Sequence, residues 1–156
     1  MTRPFSGTLP PGWQVKGAVL AGRDVYDAPL EIRSGDLSGL TVTLTDRVGQ
    51  LTGTVTATGA QKATESLIVV LPADYRGWIE GGMNPRRART ARPGANASYT
   101  IANLPPGEYL AIAVDRSDEG DLQDPAFVET LARAATRITI GAEVRKQDLA
   151  IARVRR

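Results

Sequence analysis

The chain has 156 residues, 42% of them apolar, with 16 Gly, 10 Pro and a formal net charge of +2. This is a turn-rich globular composition, and so small a charge surplus gives no argument for nucleic acid as a partner. The chain contains no Cys and no His, which excludes disulfides, thiolate metal sites, Ser-His-Asp and Cys-His catalysis, and most zinc sites.

Met1-Thr-Arg-Pro-Phe-Ser-Gly-Thr8 lacks the apolar run of a signal peptide. No apolar segment approaches the roughly 20 residues that cross a bilayer. The word Leu-Pro-Pro-Gly stands at 9–12 and recurs at 104–107. In the second copy Pro106 presets φ for the second position of a turn, and Gly107 suits the positive φ of a type II third position. Each copy then feeds a strand, Trp13–Leu20 after the first and Tyr109–Val114 after the second.

Period-two alternation of apolar and hydroxyl residues marks half-buried antiparallel strands at Leu40–Thr45 and Leu51–Thr58. Leu67–Leu71 is continuously apolar up to Pro72 and reads as a central strand covered on both faces. Further strands are expected at Ala28–Arg33, Ser98–Ala102, Glu108–Asp115, Thr136–Ile140 and Gln147–Val154. Asp124-Pro125 opens a short helix, with Asp as the N-cap and Pro at the first helical position. Phe127, Leu131 and Ala134 are expected on its buried face. Short strands separated by Gly, Pro and Asp predict an all-β sandwich with one short helix.

The segments after the two Leu-Pro-Pro-Gly copies match in outline: an acidic stretch, a strand, a small-residue turn and another strand. The chain therefore reads as two tandem units. Residues 1–46 are the C-terminal part of a truncated sandwich, with Phe5 as a trace of its missing half, and residues 47–156 are a complete sandwich. A partial unit predicts unpaired edges and exposed apolar side chains within 1–46.

Gly53-Thr-Val55, Gly59, Leu67–Leu71, Gly94, Tyr99-Thr-Ile101, Leu104-Pro-Pro-Gly107 and Tyr109 together resemble the carboxypeptidase regulatory-like domain. Its pattern runs G-x-V, a turn, a core strand, G-x-[FY]-x-[IVL] and L-x-P-G-x-Y. The resemblance spans Gln50–Asp115 and implies a transthyretin-like (Ig-like) sandwich, also described as a carbohydrate-binding-like fold. It also implies a domain that accompanies a zinc peptidase in some proteins without being catalytic. Arg92–Tyr99 departs from the family's Asp/Asn-Gly before the aromatic strand, and Gln61-Lys62 replaces its early Pro.

Two segments are candidates for chemistry. Asp115–Asp124 is the densest acidic run, and Gly120 falls sixth from Asp115 as in a calcium loop. The twelfth residue is Ala126 rather than a bidentate Glu, so the run reads as a solvated loop whose last Asp caps the helix. Tyr75-Arg-Gly-Trp78 and Asn84–Arg92 form an aromatic and basic hairpin loop. Tyr75 and Trp78 would stack on a sugar, and Arg86, Arg87 and Arg89 would grip carboxylates or phosphates. The plainer account is a long solvated hairpin loop. Asn96-Ala-Ser98 also fits the glycosylation acceptor pattern.

The expected function is non-catalytic, with no cofactor and no metal. The chain reads as a structural or interaction module of a larger bacterial envelope or secreted protein. Its partners would be neighbouring modules of the same parent chain, and it would be exported within a longer precursor. One alternative is a carbohydrate- or polypeptide-binding module using the 75–92 loop. The other is an accessory domain to a peptidase on the same chain.

Overall fold

The structure is a computed structural model that describes residues 8–26, 30, 35–76 and 88–154. Phe5 and nearly all of the expected strand Ala28–Arg33 lie outside these residues.

The fold is all-β, and the strands among the described residues fall into three sheets. The first comprises β1 (Gln14–Leu20), β2 (Arg23–Asp24) and β3 (Thr41–Thr45) in the order β2-β1-β3. The first Leu-Pro-Pro-Gly leads into it through a closed turn in which the Trp13 amide donates to the Pro10 carbonyl at 3.1 Å. Gly12 takes φ +84° there, the positive value a type II turn requires at its third position. Val15 then pairs with Leu44 and Gly17 with Thr43, leaving Lys16 as a bulge. The bulge decides which way the side chains face. Val15 and Ala18, three positions apart, would otherwise point to opposite faces. With it they join Val42 and Leu44 on one face, while Thr41, Thr43 and Thr45 line the other. Of the described apolar side chains in this part, only Ala18 and Val25 are buried, and Trp13, Val19, Leu37 and Leu44 are 38–46% exposed. Among the described strands, none of β1–β3 pairs with the other two sheets.

Those two sheets form the sandwich. β4 (Gly49–Thr56) pairs antiparallel with β7 (Ser98–Leu104) and parallel with β10 (Val144–Lys146) and β11 (Leu149–Ala150). Opposite lies β6-β5-β8-β9, built from Arg89–Ala91, Ser66–Pro72, Gly107–Asp115 and Thr136–Ile140. Alternation places Leu51, Val55, Tyr99 and Ile101 against Ile68, Val70, Tyr109 and Ala111 between the sheets. The threonines Thr54 and Thr56 stay outside. This core is where folding draws most of its free energy, at about 1.5–3 kcal/mol for each fully buried large apolar side chain.

β5 is buried at every position, as its continuous apolar run predicts. Its second face, with Leu67, Val69 and Leu71, packs with Leu110, Ile112 and Val114 of β8 beneath the helix α1 (Pro125–Ala134). The helix begins as expected: the Asp124 carboxylate accepts from the Ala126 amide at 2.9 Å, and Pro125 opens the first turn. Its buried face differs from expectation. Phe127, Val128 and Leu131 point inward, and Ala134 is exposed. Ala134 is the last residue of the helix, and from Ala135 the chain passes directly into β9.

Three other expectations are corrected. The acidic run is not an irregular loop, because Arg116–Gln123 forms a 3-10 helix. The single strand expected at Gln147–Val154 is two short ones, β10 and β11, both parallel to β4 and separated at Gln147-Asp148. The second Leu-Pro-Pro-Gly is not the turn the first is. Gly107 already lies in β8, and the positive φ of this region (+59°) belongs to Asn103. Pro105 and Pro106 carry the chain from one sheet of the sandwich to the other. The Tyr109 hydroxyl pins that corner by donating to the Pro105 carbonyl at 2.7 Å.

Candidate functional site

β5 and β6 are antiparallel neighbours at the edge of their sheet, with Val70 opposite Arg89, and the connection 73–88 joins them. Ala73 extends the β5 ladder by donating to the Glu108 carbonyl at 2.9 Å. Tyr75 then folds back over the sheet. It is 8% exposed and packs in the cluster beneath α1. The Arg76 guanidinium lies 5.9 Å from its ring centroid and 3.7 Å from the Glu129 carboxylate. Tyr75 is therefore part of the core, and the aromatic half of the expected platform rests on Trp78. Trp78, Arg86 and Arg87 lie outside the described residues. Arg89 is half-buried at the base of the loop and donates to the Ala88 carbonyl at 2.9 Å.

The last arginine of the basic run makes an unanticipated contact. Arg92 reaches the Glu119 carboxylate at 3.0 Å, so the basic hairpin and the acidic segment meet. The two are 27 positions apart in the chain, and the order β6-β5-β8, which sets Ala91 beside Ile68 and Ser66 beside Asp115, brings them together. The acidic oxygens are spread over separate local tasks. Asp115 accepts from the Ser117 amide at 2.9 Å and hydroxyl at 2.8 Å, and its other oxygen accepts from Gln61 at 3.2 Å. The two bonds from Ser117, then the one from Gln61, hold the Asp115 carboxyl below its ordinary range. Asp124 is occupied as the helix cap. Among the described residues, no three acidic, His or Cys side chains gather as metal ligands would.

The most closely built polar cluster was not legible as a site. Where β10 gives way to β11, the Gln147 amide donates to the Thr52 carbonyl at 2.8 Å, and the Gln147 carbonyl accepts from the Tyr99 hydroxyl at 2.5 Å. Asp148 then stands in for a missing backbone acceptor, taking the Thr54 amide at 2.9 Å and its hydroxyl at 3.0 Å. Those bonds lower the Asp148 pKa. A β-carbon on Gly53 would lie 1.9 Å from the Gln147 carbonyl oxygen, so only glycine admits this crossing. Gly53 was visible in the sequence as the first letter of a motif, but its partner, 94 positions away, was not.

Burial first, and the Asp148 charge second, push the Tyr99 phenol from 10.0 up to about 12. An alkaline titration followed by tyrosinate absorbance should show one of the four tyrosines ionising near that value. The unfolded chain releases this proton at about 10 and the folded chain holds it. The resulting stability is complete below pH 10 and should be lost as pH rises toward 12, which denaturant titrations at stepped pH would show. A Tyr99→Phe variant should lack the late-titrating phenol. If that variant kept it, the assignment would be wrong.

Among the described residues, no helix is long and apolar enough to cross a membrane. No family model and no curated protein matches the chain. Among solved structures it is similar to the Bacillus anthracis TIE protein, with 12% identity and a TM-score of 0.40. That similarity covers 72% of this chain and 19% of the other, so the chain spans under a fifth of that protein's length. It is also similar to a Pseudomonas aeruginosa protein called a "putative carbohydrate binding protein", with 17% identity and a TM-score of 0.38, over 66% of this chain and 88% of the other.

Proposed function

We propose that the chain is a non-catalytic structural module that holds its neighbours apart within a longer, exported protein. The observation that carries this reading is the direction of the first and last strands of the sandwich. β4 and the β10–β11 segment run parallel, so the backbone enters at one end and leaves at the other. Each such unit adds about 25 Å of rigid length, from the eight residues of β4 at 3.3 Å each. The surface supports the same reading, because Tyr75 is in the core and Arg92 is paired with Glu119. The division at residues 46/47 and membership of the carboxypeptidase regulatory-like group belong to this proposal. The separate pairing of β1–β3 supports the first of these.

A second reading, carbohydrate or polypeptide binding through the 75–92 loop, is favoured by the length of connection 73–88 and by Arg89 at its base. Affinity electrophoresis of the whole chain in gels containing soluble neutral and acidic polysaccharides separates the two. A spacer migrates unretarded, and Trp78→Ala changes nothing. Retardation that Trp78→Ala or a combined Arg86→Ala, Arg87→Ala, Arg89→Ala variant removes would replace the spacer reading with the binding one. If the arginines carry it, added salt should weaken it.

A further inference from the structure

The strand directions carry a mechanical consequence. A chain pulled through its two ends draws β4 backward along its own axis and the C-terminal segment forward along its own. The two are direct neighbours, so the bonds between them lie across the pull. The Gln50 amide donates to the Glu143 carbonyl at 3.3 Å, Gln147 to Thr52 at 2.8 Å and Ile151 to Thr56 at 3.1 Å. The Thr54 amide adds a bond to the Asp148 carboxylate at 2.9 Å. Under shear these bonds must stretch together, whereas in peeling they break in turn. A second seam lies beyond the first. Ile151 bridges to Ala113 of β8, also in parallel, and the Ala152 amide donates to the Ala113 carbonyl at 2.8 Å. The exit strand is thus stitched first to one sheet of the sandwich and then to the other.

We infer that this parallel seam is a tension-resisting clamp, and that the module's further function is to stay folded while its parent protein is pulled end to end. The inference deepens the spacer reading and rests on it for its biological setting. Asp148 is the clamp's positioning residue. It bridges the point where the strand is interrupted, and without it the seam would be two short pieces.

The test is single-molecule stretching of the whole chain. With no native cysteine, two engineered thiols give unique handles. Arg47→Cys with Arg153→Cys shears the seam. Arg47→Cys with Glu143→Cys, at the same end of both strands, unzips it. All three positions are exposed. The shear pair should unfold at a force several-fold above the unzipping pair, in one step releasing the whole 47–153 length. Asp148→Ala should lower the shear force and leave the first unzipping force unchanged. Equal forces in the two geometries, a shear force indifferent to Asp148→Ala, or a first break of shorter length would each overturn the clamp. Failure of the clamp with no retardation in polysaccharide gels leaves the spacer reading standing. A strong clamp in a chain that binds polysaccharide overturns the spacer reading alone.

Discussion

Gly53→Ala should destabilise the sandwich by about 3 kcal/mol or more, at the upper end of what overpacking costs. The added methyl would sit 1.9 Å from the Gln147 oxygen and 2.7 Å from its carbonyl carbon, and both atoms are backbone. No side-chain rotation relieves that clash. Relief requires the crossing strand to lift, which lengthens the bonds from Gln147 to Thr52 and from Tyr99 to Gln147. Urea denaturation followed by circular dichroism would measure the loss. Gly107→Ala is the matched control. Its nearest neighbour would be a Tyr109 ring carbon at 3.8 Å and its φ is not left-handed, so the change should stay within about 0.5 kcal/mol. Reversal of the two results would mean that the second Leu-Pro-Pro-Gly is a glycine-dependent turn after all.

Leu131→Ala should cost about 2–5 kcal/mol, the range for truncating a fully buried leucine. Leu131 has 0% exposure and lies over the outer faces of β5 and β8 with Phe127 and Val128. Its loss opens a cavity against Leu67, Val69 and Ile112 rather than against solvent. Ala134→Ser, one turn along on the exposed side, should be close to neutral. Equilibrium unfolding of both variants decides whether α1 is structural. A cost under about 1 kcal/mol for Leu131→Ala would make the helix an appendage and leave the buried second face of β5 without an explanation.

Much of the fold was written in short-range pattern. The strands Gly49–Thr56, Ser66–Pro72 and Gly107–Asp115 arise from alternation and from an unbroken apolar run. The helix start arises from Asp124-Pro125. Pattern could not supply anything set by distant partners. Parallel pairing of the last strand depends on Asp148 and Gln147 meeting β4, and neither has a local signature. The two Leu-Pro-Pro-Gly copies share a word and differ in geometry, because the strands they join lie in different places. The candidate site was legible only as composition: the sequence showed aromatics and arginines in one loop but not that Tyr75 would be drawn into the core.

The same late partner of β4 has a consequence for how the protein is made. Thr54 and Asp148 are 94 residues apart. At roughly 5–20 residues per second, a ribosome needs about 5–20 s to deliver the second after the first. Throughout that interval one side of β4 offers unpaired amides and carbonyls, with the inward Leu51 and Val55 uncovered on that flank. Newly made chains on neighbouring ribosomes carry the same open edge, so synthesis passes through a period in which strand exchange between nascent copies competes with closure. Slower translation beyond Ile140 would lengthen that period, and a chaperone that holds β4 until β11 emerges would be most useful there.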